Sequence, residues 1–309
     1  MNTSKKTTAY RYAALVAAAL MTSGLAACGS TSAEAGGAGA DGEPFKIAVI
    51  PGWNDYTGAG YIFKNVLESA GYEADIQEFS EIGIVYLAAA NGDIDFFSAS
   101  PENLQKDYWD KHKDDLEDLA SWYDNNALFL AVPDYVTDVN SIEDLAAHAS
   151  DVGGRIVGIE PGTGYMKNIE EKVIPEYGLS GAIELATSSS VGMLTTLKDA
   201  VENQEPVVVT SWSPFWANTA YGLKPLADPK NTLGKPEAEH ILARGGFADD
   251  YPDVAAMIAA FKLDDAQVND LDDLIGNKFG PGKEDEAAAA WLEKYPDVAD
   301  TLKKALTGD

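Results

Sequence analysis

Residues 45–56 read Phe45-Lys46-Ile47-Ala48-Val49-Ile50-Pro51-Gly52-Trp53-Asn54-Asp55-Tyr56. The first six form an apolar run of strand length. Pro51 and Gly52 end it, and Ile62, Val66 and Leu67 then recur at helical spacing. A strand that enters a helix through a short turn is the repeating unit of an α/β fold. The unit returns along the chain. Tyr72–Phe79, Ile94–Ser98, Ala127–Val132, Ile156–Ile159, Ile183–Ala186 and Val207–Thr210 read as strands. Tyr61–Ala70, Val85–Ala90, Glu102–Leu119, Met166–Ile174, Val191–Val201 and Phe215–Tyr221 read as helices, and the chain after Tyr251 is mostly helical. Ser141 with Asp144 forms a capping box ahead of Leu145. The alternation predicts mainly parallel sheets flanked by helices.

Working back toward the start, Lys5, Lys6 and Arg11 precede an apolar stretch from Ala13 to Met21 that is too short for an ordinary membrane span. It ends in Leu25-Ala26-Ala27-Cys28, a spacing similar to a bacterial lipobox, in which the cysteine is acylated and becomes the mature N-terminus. The competing reading is a plain signal peptide with a chance cysteine. Cys28 is the sole cysteine, so no internal disulfide competes for it. We expect residues 1–27 to be a lipoprotein signal peptide and residues 28–43, rich in Gly, Ala and Ser, to be a flexible tether.

Fifty Asp and Glu residues against 22 Lys and Arg give a net charge of −28. Residues 1–27 hold three basic and no acidic residues, so the remainder is more negative still. Such a surface repels nucleic acid and anionic headgroups. It argues against nucleic-acid partners and against membrane contact beyond the anchor. About 265 residues follow the tether, enough for one large domain or two lobes. The turn-rich stretches at Val132–Tyr135 and Asn231–Ala238 mark the changes of lobe. They divide the chain into residues 44–133 plus 236–309 and residues 134–235.

Four strand-to-helix turns carry unusual residues: Pro51–Tyr56, Ala99–Asn103, Glu160–Tyr165 and Ser211–Trp216. Open α/β sheets bind ligands in the crevice beyond the carboxyl ends of their strands, so the four turns point at one crevice. Trp53 lies between Gly52 and polar Asn54-Asp55. A core tryptophan belongs more often in an apolar run, which favours a ligand role. Trp212 and Trp216 flank Pro214, a first-turn helix residue. Trp212 is expected to face the crevice and Trp216 the core. Gly162-Thr163-Gly164 reads either as an anion site at a helix start or as an ordinary tight turn. Asp55 reads either as a partner for a cation or as a helix cap. Tyr123, in Trp122-Tyr123-Asp124 ahead of a strand, fits a structural role equally well. Asp270–Asp273 lacks the pattern of a calcium loop and reads as a solvated helix face. His112, His148 and His240 lie in separate polar contexts. There is no H-E-x-x-H, G-x-S-x-G or metal-spaced Cys/His set. No catalytic residue, metal ligand or cofactor is therefore assigned.

These turns resemble those of the substrate-binding proteins of glycine betaine, proline betaine and choline ABC importers. Thr210-Ser211-Trp212-Ser213-Pro214-Phe215-Trp216 is similar to the family's G/T-W-T-P-x-W turn, and Glu160–Gly164 to its D-P-G-S-G turn. Val49–Asp55, Asn140–Leu145 and Arg244–Phe247 also have counterparts. The resemblance spans nearly all of residues 45–309. It implies a two-lobed periplasmic-binding-protein fold, type II-like, that closes on a quaternary ammonium ligand held in an aromatic cage. Each ring face contributes roughly 0.5–2 kcal/mol. By position it implies Trp53 and Trp212 as cage walls, Gly164 and Tyr165 as amide donors to a ligand carboxylate, Tyr123 near a cage tyrosine, and Asp55 as the acidic partner of the choline-type branch. The chain departs from the family at Ala99-Ser100-Pro101, where many members carry another cage tryptophan. Losing that wall would weaken binding by about 1–2 kcal/mol, roughly tenfold or more. Tyr56, Tyr123 or Tyr165 then fills the gap, or the ligand is larger or less methylated. Ser100 and Asn103 of this turn join the expected site.

The resemblance further implies a lipid-anchored monomer on the outer face of the cell membrane that delivers its ligand to an ABC permease. Two other classes remain open: a binding protein of the same fold for another amine or an amino acid, and a surface hydrolase.

Overall fold

The computed structural model describes residues 43–308. The leader, Cys28 with its expected lipid, and almost all of the 28–43 tether lie outside them.

The opening strand forms as its pattern predicts. Phe45–Val49 (β1) pairs in parallel with Ala74–Glu78 (β2) and with Phe96–Ala99 (β3). Leu116–Pro133 (β4) is the long connecting strand. Beyond it, Arg155–Val157 (β5) pairs in parallel with Glu184–Ala186 (β6) and Val208–Ser213 (β7). Leu223–Pro225 (β8) is antiparallel to the end of β4, and Glu237–Arg244 (β9) lies antiparallel between β3 and β4. The order is β2-β1-β3-β9-β4-β7-β5-β6, with β8 beside β4.

β4 belongs to both sheets. Its first part pairs with β9 as far as Asn126↔Glu237, and its second part pairs with β7 from Ala127↔Ser213 onward. Three register shifts interrupt the first ladder. Each is an irregularity that bends and twists a strand, which lets one strand pass from sheet to sheet. The pairing thus changes within β4, ahead of the Val132–Tyr135 turn.

Part of the expected Glu102–Leu119 helix is strand instead. Only Lys106–His112 (α3) is helical there, and β4 begins at Leu116. The acidic residues that suggest a solvated helix face are engaged along the β-ladder: Glu117 accepts from the Gly246 and Ala248 amides, and Asp118 meets His240. Trp122 and Tyr123 lie within this strand rather than ahead of it. β9 carries no apolar alternation because its inward residues include Glu237, 5% exposed, and Glu239, fully buried.

Helices Asn54–Ser69 (α1) and Ile82–Ala90 (α2) cover opposite faces of the first sheet. α1 packs with the C-terminal helices around Phe63, Trp122, Phe261 and Trp291. α2 packs around Tyr86 and Phe97. A third core, built on Ile156, Ile169, Leu197 and Val208, belongs to the second sheet. Its helices include Gly164–Asn168 (α4), Ile174–Glu176 (α5), Ser190–Asn203 (α6) and Trp216–Ala220 (α7). The expected capping box at Ser141 and Asp144 is present, opening a 3₁₀ turn at Ile142–Ala146. The C-terminal set is Phe247–Asp250 (α8), Pro252–Ala259 (α9), Asp265–Asp273 (α10), Glu284–Lys294 (α11) and Pro296–Thr307 (α12). Trp53, in the turn between β1 and α1, packs against all three cores. Gly52 permits this: its φ of +91° suits glycine, and a Cβ there would stand 2.9 Å from Ser190 Cβ at the start of α6.

Candidate functional site

Three of the four expected turns converge on one cavity of about 50 Å³ between the two sheets. Trp53 reaches it from the β1–α1 turn, Asp55 and Tyr56 from the first turn of α1, Gly164 and Tyr165 from α4, and Trp212 from the end of β7. Ile82, Leu104, Leu128 and Ile159 supply apolar surface between the rings, and Gln105, Asn126 and Thr163 complete the wall. None of these residues is basic. The carboxyl of Asp55 is the ionisable acid in the wall.

Each ring is held from behind. Trp53 Nε1 donates to Ser190 Oγ at 3.0 Å and to Glu160 Oε2 at 3.3 Å. Glu160 is itself buried and accepts from the Ser190 amide and hydroxyl, both at 2.8 Å. A first-sheet ring is thereby tied to the second sheet. Tyr56 meets Trp53 edge-on, with centroids 5.4 Å apart at 73°. Tyr165 Oη donates to the Phe129 carbonyl at 2.5 Å, against the Ser211 backbone paired with it. Trp212 stacks on Phe215 at 4.0 Å and 22°. The residue is 6% exposed, and its carbonyl accepts from Asn218. Trp216 is half-buried against the core of the second sheet, as expected, but also reaches the C-terminal region. Its amide donates to Asp272, and its indole occupies the space a Cβ at Gly276 would need.

Three expected residues stand apart. Ser100 is fully buried behind the wall, where its hydroxyl lies 2.6 Å from Tyr56 Oη and its amide donates to Gln105 Oε1. The space of an additional tryptophan is therefore closed by a hydrogen-bonded Ser–Tyr–Gln cluster, with the Tyr56 ring in the cavity wall. Tyr123 is core, 2% exposed, and its hydroxyl donates to Asp265 at 3.1 Å. Asn103 is exposed, its amide donating to Glu237 Oε2, and lines a neighbouring polar opening. That opening shares Leu104, Asn126 and Leu128 with the cavity.

Asp55 is not a helix cap. It lies inside α1, its Oδ1 accepts from the Tyr56 amide at 2.8 Å, and it is 3% exposed. Burial pushes its pKa up to about 6. Behind it stands Glu239 of β9, whose Oε1 accepts from Asn126 Nδ2 at 2.6 Å. Burial and the facing Asp55 carboxylate raise Glu239 well above the usual range. Asp272 is also raised, by burial first and then by Asp55. It is 1% exposed, which corrects the reading of Asp270–Asp273 as a solvated face; the polarity of that stretch hides one inward carboxyl. Glu239 carries no sequence signal either, since a Glu-Ala-Glu-His run suggests a surface.

Gly164 and Tyr165 begin α4, so no helical carbonyl reaches their amides. The Thr163 hydroxyl caps the same turn through the Met166 amide at 3.2 Å. None of the three histidines lines the cavity; His148 and His240 pair with Asp151 and Asp118. The wall is suited to a compact cation: four aromatic rings, one acid and few donors.

Residues 43–294 match the profile of the substrate-binding domain of ABC-type glycine betaine transport systems. The glycine betaine/carnitine transport binding protein GbuC of Listeria monocytogenes is 33% identical over 143 residues, 46% of this chain and 46% of that one. The match thus spans about half the length of that relative. The glycine/betaine/L-proline-binding protein ProX of Borrelia burgdorferi has a similar structure, with a TM-score of 0.75 at 30% identity over 86% of this chain and 99% of that one. Lactococcal OpuAC, closed on glycine betaine, is also similar, with a TM-score of 0.75 at 26% identity over 85% and 100% of the two chains. The fold expected from the sequence is the one observed.

Proposed function

Since the chain belongs to the family of substrate-binding domains of ABC-type glycine betaine transport systems, we propose that it captures a quaternary ammonium solute outside the cytoplasm for an ABC permease. One observation carries this reading. Trp53, Tyr56, Tyr165 and Trp212 bring four aromatic rings to one buried cavity whose wall includes the Asp55 carboxyl and no basic side chain. A methylated ammonium cannot donate a hydrogen bond, so ring faces are its natural partners, at roughly 0.5–2 kcal/mol each.

In this reading Trp53 and Trp212 are the principal walls, with Tyr56 and Tyr165 beside them. The Gly164 and Tyr165 amides receive a ligand carboxylate where there is one. Residues 44–133 plus 236–309 and residues 134–235 act as two lobes that close on the solute. Glycine betaine, proline betaine and choline are the candidate ligands. A lipid on Cys28 would hold the protein, as a monomer, near its permease. None of the described helices is long and apolar enough to cross a membrane. In this reading the protein acts by binding, as a member of a substrate-binding family.

Titration calorimetry on the purified protein tests this. Saturable micromolar to millimolar binding of glycine betaine, proline betaine, carnitine or choline is expected. Silence with all four, or preferential binding of an amino acid or polyamine, would overturn it.

A further inference from the structure

The floor of the cavity poses an electrostatic problem that an aromatic cage does not explain. Asp55 lines the cavity and Glu239 lies directly behind it, 3% and 0% exposed. Glu239 Oε1 takes the Asn126 amide, but Oε2 has no ordinary donor, and the group that faces it is the Asp55 carboxyl. Asn126 Oδ1, also buried, has no partner either. Two carboxylates meeting without a donor are stable only with a proton between them or a cation beside them.

The surroundings supply no cation. Tyr56 faces the pair from α1, Tyr123 from β4 and Asp272 from α10, while Glu237 adds its charge from β9. Each is neutral or acidic. His240 follows Glu239 on the strand, so its side chain leaves by the opposite face, where it pairs with Asp118. Among the described residues Asp55, Glu239 and Asp272 form no ion pair.

Resting on the function proposed above, we infer that the Asp55–Glu239 pair is a specificity-determining element that exchanges a proton for the ligand's positive charge, favouring net-cationic quaternary ammonium ligands over zwitterionic ones. Unliganded, Glu239 holds one proton and donates a hydrogen bond to Asp55, and Asp55 itself takes up a second proton as pH falls through about 6. An arriving ammonium stabilises the ionised Asp55 beside it, the proton that Asp55 carried leaves to solvent, and Glu239 keeps its own. No other bond is made or broken. A zwitterion brings its own carboxylate, which offsets part of its charge and weakens the exchange.

Calorimetry with choline and glycine betaine from pH 5 to 8, repeated in buffers of different ionisation enthalpy, reads the exchange directly. Choline is expected to release up to about half a proton near pH 6, and its Kd to weaken by about tenfold between pH 7.5 and pH 5. Glycine betaine should release less and change less. Asp55→Asn should abolish choline's pH dependence, and Glu239→Gln, which still donates but brings no charge, should move its midpoint down. Should either variant fail to fold, the wild-type proton count still decides. Choline binding without proton release, or release by glycine betaine equal to choline's, overturns this inference while leaving the proposed function standing. Absence of binding by both ligands at every pH overturns both.

Discussion

The carbonyl oxygen of Leu104 lies 1.8 Å from where a Cβ on Gly164 would stand, so the two backbones touch beside the cavity. Leu104 follows β3 of the first sheet, and Gly164 begins α4 of the second. The contact is flanked by a hydrogen bond from Tyr108 Oη to the Gly162 carbonyl at 2.6 Å and by the Lys167–Asp107 ion pair. Only a residue without a Cβ permits this approach. Gly164→Ala should therefore weaken ligand affinity at least tenfold, because the two sides can no longer meet, while the melting temperature of the ligand-free protein changes little. Wild-type affinity in calorimetry would show that this contact is not needed for capture.

Removing either proposed wall should cost affinity through lost ring face, and stability as well, since Trp53 packs against all three cores and Trp212 stacks on Phe215. Trp212→Ala and Trp53→Ala are each expected to raise the Kd for a quaternary ammonium by roughly tenfold or more. Phenylalanine at either position should recover part of the loss. A Trp212→Ala protein that binds normally would remove that ring from the cage.

Glu160 holds the Trp53 ring, one wall of the proposed cage. It accepts from Trp53 Nε1 and twice from Ser190, so a Gln at this position turns an N–H toward at least one donor. Glu160→Gln should weaken binding by about 1 kcal/mol, roughly fivefold, with the ligand-free fold intact. Equal affinities in parallel titrations would mean that Trp53 holds its position without this tie.

Restoring tryptophan at position 100 should not restore a wall. Ser100 is fully buried against Tyr56 and Gln105, so a large ring has no space and the Tyr56 hydroxyl loses its short hydrogen bond to Ser100. Ser100→Trp is expected to destabilise the protein by about 1–3 kcal/mol or more and to weaken ligand binding. Tighter binding at unchanged stability in denaturant titrations would contradict it.

Asp272 makes stability depend on pH. Burial pushes its folded pKa well above the ordinary carboxylate range. The folded state therefore holds a proton that the unfolded state has released. The associated stability is complete below the unfolded value and is lost as pH rises toward the folded one. Asp272→Asn removes that titration. The variant should melt several degrees above wild type at pH 8 (each 1 kcal/mol is about 2–4 °C at this size), and the gap should close near pH 4. A constant difference across that range would assign the effect to the hydrogen bond from Trp216.

Sequence pattern makes the parallel strands and the turns after β1, β5 and β7 legible, because each sets a short apolar run beside glycine, proline or an exposed-looking tryptophan. Trp53, Asp55, Tyr56, Gly164, Tyr165 and Trp212 follow from those turns, since strand ends in such folds meet at one crevice. The start of β4 and the whole of β9 are not legible. Their inward and ladder-bound residues include Glu117, Asp118, Glu237 and Glu239, and acids read as solvent-facing when their partners are unknown. Ser100 shows the same limit in reverse, as only packing places it behind Tyr56. The sequence by itself determines which segments form and which turns carry rings, because those depend on local periodicity and backbone freedom. Tertiary structure alone decides which acids are buried and what faces them, because burial and charge coupling arise only between α1, β9 and α10 once distant segments pack.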